Sequence, residues 1–436
     1  MSPPREATAT DLVGQRVGRY TVLSHLASGG MAELYIARQE AVGGFEKQVV
    51  LKILQPRYAR NPRVVQMFLD EARLAAKLNH PAIVHVYDVA DEDGLKYIAM
   101  EYIHGETIAD IVTRGLAKDR YLPLEHTIHI VRQTAAGLAY AHERREADGR
   151  IVRIVHRDVS PTNILVSYEG QTELVDFGIA RAQDELREES GVRPGKASYM
   201  SPEQVRGGEV DYRSDIFSLG IILYELTLCQ RLYRGPADQV MRRIVEQKVA
   251  PPTAVRRDYP PALELVVMRA LEKRPEDRYQ SAEEMRHDLE EFLDDHSLRT
   301  GTRRVGLYLQ ELFRGAEGPA SRADSRLGEG ARGTPAAQPL AVVVEDNSEE
   351  LDFDRRAPLA MKVEVAPEPK PPAGRAAPAP GSAGPTPSLS PAAAVTESSP
   401  PQHADGRASA GKRTSWGIVV AFIILGIAAM VFLTLR

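Results

Sequence analysis

The sequence predicts an α+β molecule of two lobes, a small sheet-based lobe followed by a mainly helical one, with an unstructured tail and one membrane-crossing helix behind them. Three observations carry this. Short β-rich segments at residues 20–25, 33–38 and 47–54 come first, and longer stretches of helical spacing follow, beginning with QMFLDEARLAAKL. From 315 to 411 the chain turns to Ala, Pro, Gly and Ser without a sustained period, a composition that cannot bury enough apolar surface to offset its ordering entropy. Residues 417–435, GIVVAFIILGIAAMVFLTL, then run without a charge, and such a helix spans roughly 28 Å, the thickness of a bilayer core.

Taken in order, residues 1–18 are a polar N-terminal segment, 19–296 the folded domain, 297–314 a helical extension, 315–411 the linker and 416–435 the transmembrane helix. In the extension Val305, Leu309 and Leu312 share one helical face, which predicts packing on the domain before it. The linker is a tether of roughly 100 residues, for which a flexible coil spans roughly 55 Å. Within it EDNSEELDFD, at 345–354, reads as a solvated acidic run. The start carries Pro3 and Pro4 and no apolar run, so a signal peptide is not expected. Lys412 and Arg413 put the basic excess before the apolar helix, which predicts a single pass with everything N-terminal to it in the cytoplasm.

The chain has 436 residues, 55 of them Lys or Arg and 60 Asp or Glu, for a net charge of −5, and it contains one Cys. The charge argues against a dedicated nucleic-acid binder, and a single Cys excludes an internally disulfide-stapled scaffold. That residue, Cys229, sits on an apolar helical stretch and is expected to be a buried small hydrophobe.

The chemistry lies in several short motifs. LASGGMAELY, at 26–35, stands between two predicted strands as a small-residue turn that lets backbone N–H groups approach phosphates. Alone, an ordinary hairpin explains it as well. VVLK at 49–52 then offers Lys52 on the following strand, and Glu71 in the first helical stretch can hold that lysine. The decisive stretch is His156-Arg157-Asp158 with Asn163, followed by Asp176-Phe177-Gly178. Phosphoryl transfer needs a carboxylate to orient the attacking hydroxyl and oxygen ligands to hold Mg²⁺ on the phosphates, and this spacing supplies both.

With these residues in this order, residues 20 to 295 resemble the eukaryotic-like protein kinases, in their bacterial serine/threonine branch. MEYIHG at 100–105, SPE at 201–203, Asp215 in DIFSLG and Arg278 in RPEDRY extend the match. The resemblance implies a bilobal kinase fold with ATP in the cleft, Asp158 as catalytic base, Asn163 and Asp176 as Mg²⁺ ligands, and Lys52 paired with Glu71. It implies that Leu26, Ala27, Ser28, Gly29 and Gly30 form the nucleotide loop and that Leu26, Leu34, Val50 and Leu165 enclose the adenine. Met100 would be the gatekeeper, with the backbone of Glu101 and Ile103 bonding the base edge. Glu203 with Arg278 would be a structural ion pair, and Asp215 a brace for the catalytic loop.

The chain departs from that pattern in three places. Ala27 and Ala32 replace the first and third loop glycines, and if those positions need φ > 0 nucleotide affinity falls. Ser160 stands where the family has a lysine, and Lys196 where it has a threonine, so ammonium and hydroxyl have exchanged positions. The expectation is that Lys196 reaches back beside Asp158 and supplies the missing cation. Between 176 and 203 the serine and threonine hydroxyls are Ser190, Ser198 and Ser201, and Ser190 is the candidate for autophosphorylation, with Arg157 placed to receive the phosphate. The functional expectation is an active membrane-tethered serine/threonine kinase acting on protein substrates. Its alternative is a nucleotide-binding pseudokinase scaffold, favoured by Ser160 and the thinned loop and opposed by the retained base and metal ligands.

Overall fold

The computed structural model describes residues 12–41, 45–92, 94–146, 148–177 and 196–315, with the backbone alone at 41, 45 and 196. Ser190, the linker and the apolar segment 416–435 lie outside the described residues. No helix among the described residues is long and apolar enough to cross a membrane.

The first lobe is built on one antiparallel sheet. Its strands are β1 (Arg16–Val17), β2 (Tyr20–Ser28), β3 (Ala32–Ala41), β4 (Phe45–Leu54), β5 (Val86–Glu92) and β6 (Leu95–Glu101), in the order β1-β2-β3-β4-β6-β5. β2, β3 and β4 are longer than the segments 20–25, 33–38 and 47–54 read from sequence, and the β3–β4 ladder runs unbroken from Ala32↔Leu54 to Ala41↔Phe45. The period of two sorts β4 cleanly. Val49, Leu51 and Ile53 join Tyr20, Val22, Tyr35 and Tyr97 on one face, while Val50 and Leu54 join Phe68, Ala72 and Met100 on the other. Lys52 shares the second face, so the alternation that buries the strand also aims its lysine at the helix and the cleft.

Two helices cover that face, α1 (Pro56–Ala59) and α2 (Pro62–Ala75). Asn61 caps α2 by accepting from the Arg63 N–H at 3.0 Å, and Pro62 fills the first turn, where no N–H is needed. Val64, Phe68, Glu71 and Ala72 are its buried residues, a stripe at helical spacing that carries Glu71 inward with its apolar neighbours.

A small sheet of β7 (Gly105–Thr107), β8 (Ile164–Ser167) and β9 (Thr172–Leu174) leads into the second lobe. There follow α3 (Ile108–Ala117), opened by a Thr107–Asp110 capping box, and α4 (Leu124–His142). After the catalytic segment come α5 (Pro202–Val205), α6 (Arg213–Leu228), α7 (Ala237–Glu246), α8 (Pro252–Val255), α9 (Pro261–Ala270), α10 (Ala282–Asp295) and α11 (Thr302–Phe313). Helix α6 is buried from Ser214 to Leu228, on every side, with Asp215 and Glu225 among the buried residues, and forms the axis of this lobe.

One sequence expectation is corrected here. Cys229 is half-buried and is the left-handed cap of α6 (φ 52°), one residue beyond the apolar run, with its thiol pushed up to about 11 chiefly by burial. Within the 297–314 extension the helix itself runs over Thr302–Phe313, close to the 303–313 stretch of helical spacing, and residues 297–301 before it are not helical. Its Val305, Leu309 and Leu312 are fully buried, as their spacing predicts.

Candidate active site

The cleft face of β4 and the inner face of α2 meet at a buried cation. Lys52 Nζ donates to Glu71 Oε1 at 3.2 Å and to Asp176 Oδ1 at 2.9 Å, with Lys52 and Glu71 only 5% and 6% exposed. Burial pushes the ammonium toward deprotonation, but the charges of Asp176 and Glu71 outweigh it, and the lysine is held more firmly protonated than usual. Glu71, desolvated on all sides, is pushed up to about 7 despite Lys52. A lysine between two carboxylates is a fixed positive point on the wall of the cleft, where phosphate oxygens can be held.

Across the cleft the loop 156–163 is fixed from below. Asp215, 1% exposed on α6, accepts from the His156 N–H at 2.8 Å and the Arg157 N–H at 2.7 Å, and His142 Nε2 lies 2.8 Å from the same carboxylate. The Arg157 carbonyl accepts from Gln204 Nε2 at 2.8 Å. Those bonds hold Arg157 at φ 66°, a left-handed conformation that costs a non-glycine residue about 1–2 kcal/mol and persists only where its surroundings over-determine it. Asn163 Nδ2 donates to the Asp158 carbonyl at 2.8 Å and to its Oδ2 at 3.1 Å, which orients both side chains. The next turn, held by Val175 N–H to Asn163 O at 3.0 Å, delivers Asp176 at φ 63° toward Lys52. Phe177 then turns into the core against His156, ring centres 4.5 Å apart.

The residues expected around the adenine come together. Val50, Met100 and Ile103 belong to one apolar cluster against which Leu26, Leu34 and Leu165 pack. Glu101 closes β6, its N–H donating to His85 O at 2.9 Å. The loop itself corrects the cost expected of its alanines. Ala27 and Ala32 lie in extended strands, Ala27 opposite Leu34 and Ser28 opposite Glu33, and neither Gly29 nor Gly30 has a positive φ. The turn closes through Gly29 N–H to Ala32 O at 2.8 Å, so no position at 27 or 32 needs glycine's freedom.

The root of this loop is a polar cluster that sequence reasoning missed. Glu33 Oε2 accepts from Ser28 Oγ at 2.6 Å and lies 2.8 Å from His25 Nε2, while Gln55 Nε2 donates to Glu33 Oε1 at 2.6 Å and to Gly29 O at 3.2 Å. The hairpin pairing of β2 and β3 was the available signal for the first two; Gln55 sits 22 residues away and gave none.

Ser160 is buried and its Oγ lies 3.0 Å from Thr162 Oγ1. Lys196 opens a 3₁₀ turn over Lys196–Tyr199, and its side chain, like Ser190, lies outside the described residues. Ser201 is fully buried as the cap of α5. Glu203 and Arg278 form the expected pair, bidentate at 2.7 and 2.8 Å with Arg278 1% exposed. A cavity of about 690 Å³ lined by His80, Arg132, Tyr140, Arg144 and Arg286 contains none of these residues, and Arg132 and Arg286 already engage Glu290 and Glu283.

The residues also suit the ligands that such a cleft requires. Asn163 and Asp176 offer hard oxygen donors, few enough to leave Mg²⁺ its phosphates and waters, and the apolar slot beside Lys52 suits a flat base. A small sheet lobe and a helical lobe that present a clamped lysine opposite a braced loop aspartate define a protein kinase. Residues 20–289 match the protein kinase domain, and the chain belongs to that family.

Bacterial kinases are among its relatives. The chain is 40% identical over 320 residues to the tyrosine-protein kinase MasK of Myxococcus xanthus, covering 72% of this chain and 50% of that protein. It is 38% identical over 280 residues to the serine/threonine-protein kinase PknB of Mycolicibacterium smegmatis (62% and 42%) and 35% over 288 to the serine/threonine-protein kinase PrkC of Bacillus subtilis (65% and 42%). The chain thus spans about half the length, or less, of these curated relatives. Among solved structures it is similar to the Mycobacterium tuberculosis PknI kinase domain, 29% identical with a TM-score of 0.49, covering 64% of this chain and 98% of that one.

Proposed function

We propose that this protein is a serine/threonine kinase that transfers the γ-phosphoryl group of ATP to hydroxyls of protein substrates at the cytoplasmic face of a membrane, to which residues 416–435 anchor it. The observation that carries the reading is Lys52, buried and held at 3.2 and 2.9 Å by Glu71 and Asp176. Lys52 positions the phosphates of ATP. Asp158, oriented by Asn163, accepts the proton of the substrate hydroxyl as its oxygen bonds to the γ-phosphorus and the bond from that phosphorus to the bridging oxygen breaks. Asn163 and Asp176 would hold Mg²⁺, which when bound would supply charge neutralisation on the phosphates. Leu26, Leu34, Val50 and Leu165 enclose the base and the backbone of Glu101 and Ile103 reads its edge.

Lys196 supplies the cation that Ser160 does not. Lys196→Thr is expected to lower kcat by at least tenfold, and adding Ser160→Lys to restore it; a harmless Lys196→Thr, or no rescue, removes this role. Ser190 is the autophosphorylation site, tested by mass spectrometry of active protein against the Asp158→Asn form. The anchor is tested by alkaline extraction, which leaves a spanning chain in the membrane pellet and releases a peripheral one.

A second reading of the acceptor is favoured by one observation: a relative 40% identical is named a tyrosine kinase. The SPTN sequence of the loop supports serine and threonine. Phosphoamino-acid analysis of product labelled by the full chain decides between them: phosphoserine or phosphothreonine is expected, and phosphotyrosine alone would reverse the assignment. ATP binding without transfer would leave the pseudokinase scaffold.

A further inference from the structure

Helix α11 lies beyond the family match, yet it is seated on the turn that joins β8 to β9, next to the sheet under the nucleotide slot. A Cβ on Gly306 would come within 2.7 Å of the Tyr168 carbonyl oxygen and of the Glu169 backbone, and one on Gly170 would strike Thr302 O. The two backbones therefore touch, glycine to main chain, at both ends of the contact. Gln310 Nε2 donates to Tyr168 O at 2.8 Å, Tyr308 OH to Arg120 O at 3.2 Å, and Lys118 Nζ caps the helix at Leu312 O.

Tyr168 carries that contact across to the hinge. Its N–H donates to His104 O at 2.9 Å, its hydroxyl to Glu106 Oε1 at 2.6 Å, and its ring lies 4.9 Å from that of His104 and 6.2 Å from Phe313. Glu106 is 2% exposed, so the bond is made where water competes little. The β7–β8 register then sets Gly105 against Ser167 and Thr107 against Leu165, the residue under the base.

We propose that Tyr168 and helix α11 are positioning elements of the nucleotide site: the helix fixes Tyr168, Tyr168 fixes the hinge from 103 to 107, and nucleotide affinity depends on a helix outside the 20–289 domain. This rests on the reading of the cleft as an ATP site. By linkage, bound nucleotide in turn holds the helix down.

The test uses the full chain in detergent micelles, with steady-state kinetics in ATP and hydrogen exchange with and without a non-hydrolysable ATP analogue. Gly306→Leu lifts the helix and is expected to raise the KM for ATP about tenfold with kcat within about twofold, and the milder Gln310→Ala about threefold. The Tyr168 amide should lose protection in Gly306→Leu, and the analogue should protect amides of 302–313 in the wild type. Leu263→Ala, a core variant on α9, controls for lost stability and should leave KM unchanged. A wild-type KM in both variants, or an equal rise in Leu263→Ala, overturns the proposal while leaving the ATP site intact. Absence of any ATP dependence in the wild type overturns the site reading and this proposal together.

Discussion

Lys52 stays protonated although it is buried because two carboxylates outweigh the burial that opposes its charge. Removing the cation alone leaves Glu71 and Asp176 facing each other, so Lys52→Met should lose about 3–5 kcal/mol of stability as well as transfer activity. Lys52→Met with Glu71→Leu should recover most of the stability and none of the activity, read by urea denaturation beside kinetics. If the double variant is no more stable than the single, the buried pair is not what the single variant breaks.

Glu106 gives a pH-dependent counterpart. Its carboxyl is pushed up to about 7, first by burial and then by Asp110, against the Tyr168 bond that lowers it. A folded pKa above the unfolded one means that the folded state binds the extra proton. Its contribution is full below the ordinary carboxylate range and is lost as pH rises through about 7, on the order of 3 kcal/mol in all. Glu106→Gln keeps an acceptor for Tyr168 without the charge, so its stability should fall less than the wild type's between pH 5 and pH 8. Parallel curves for the two proteins would contradict this. None of it was legible in sequence, since Glu106 and Tyr168 are far apart and neither belongs to a motif. Lys52, Asp158, Asn163 and Asp176 were legible because phosphoryl transfer restricts residue type and spacing at once.

At the scale of elements, period-two alternation and the helical stripe of α2 foretold the lobe order and the facing of Lys52 and Glu71, because burial drives both patterns. The loop 26–35 was misjudged for the opposite reason: a glycine-poor sequence suggested strain, but the chain passes through 27 and 32 in extended form, where alanine fits. Gly105 is a glycine whose small size does matter. A Cβ would lie 2.2 Å from Val166 O and 2.5 Å from Ser167 Cα, both main-chain atoms that cannot move alone. Gly105→Ala should therefore push β7 from β8, cost about 1–3 kcal/mol, and raise the KM for ATP more than it lowers kcat. An unchanged melting temperature would show that β7 accommodates the methyl group.

At the scale of the whole molecule, composition separated the folded domain from the Pro- and Ala-rich region after it, and the motifs assigned the domain to its family. The seat of α11 was only half legible, since the spacing of Val305, Leu309 and Leu312 names the buried face but not the surface it covers. The central claim is that Asp158, in a cleft already organised by Lys52, Glu71, Asp176 and Asn163, makes this chain a working phosphotransferase. The measurement that meets it directly is transfer of labelled γ-phosphate by the full chain with Mg²⁺, beside Asp158→Asn, with nucleotide binding followed in both. Label on protein hydroxyls that falls by at least 10³-fold in Asp158→Asn while ATP still binds is the predicted result. Equal labelling by both proteins, or tight ATP binding without transfer in the wild type, would contradict it.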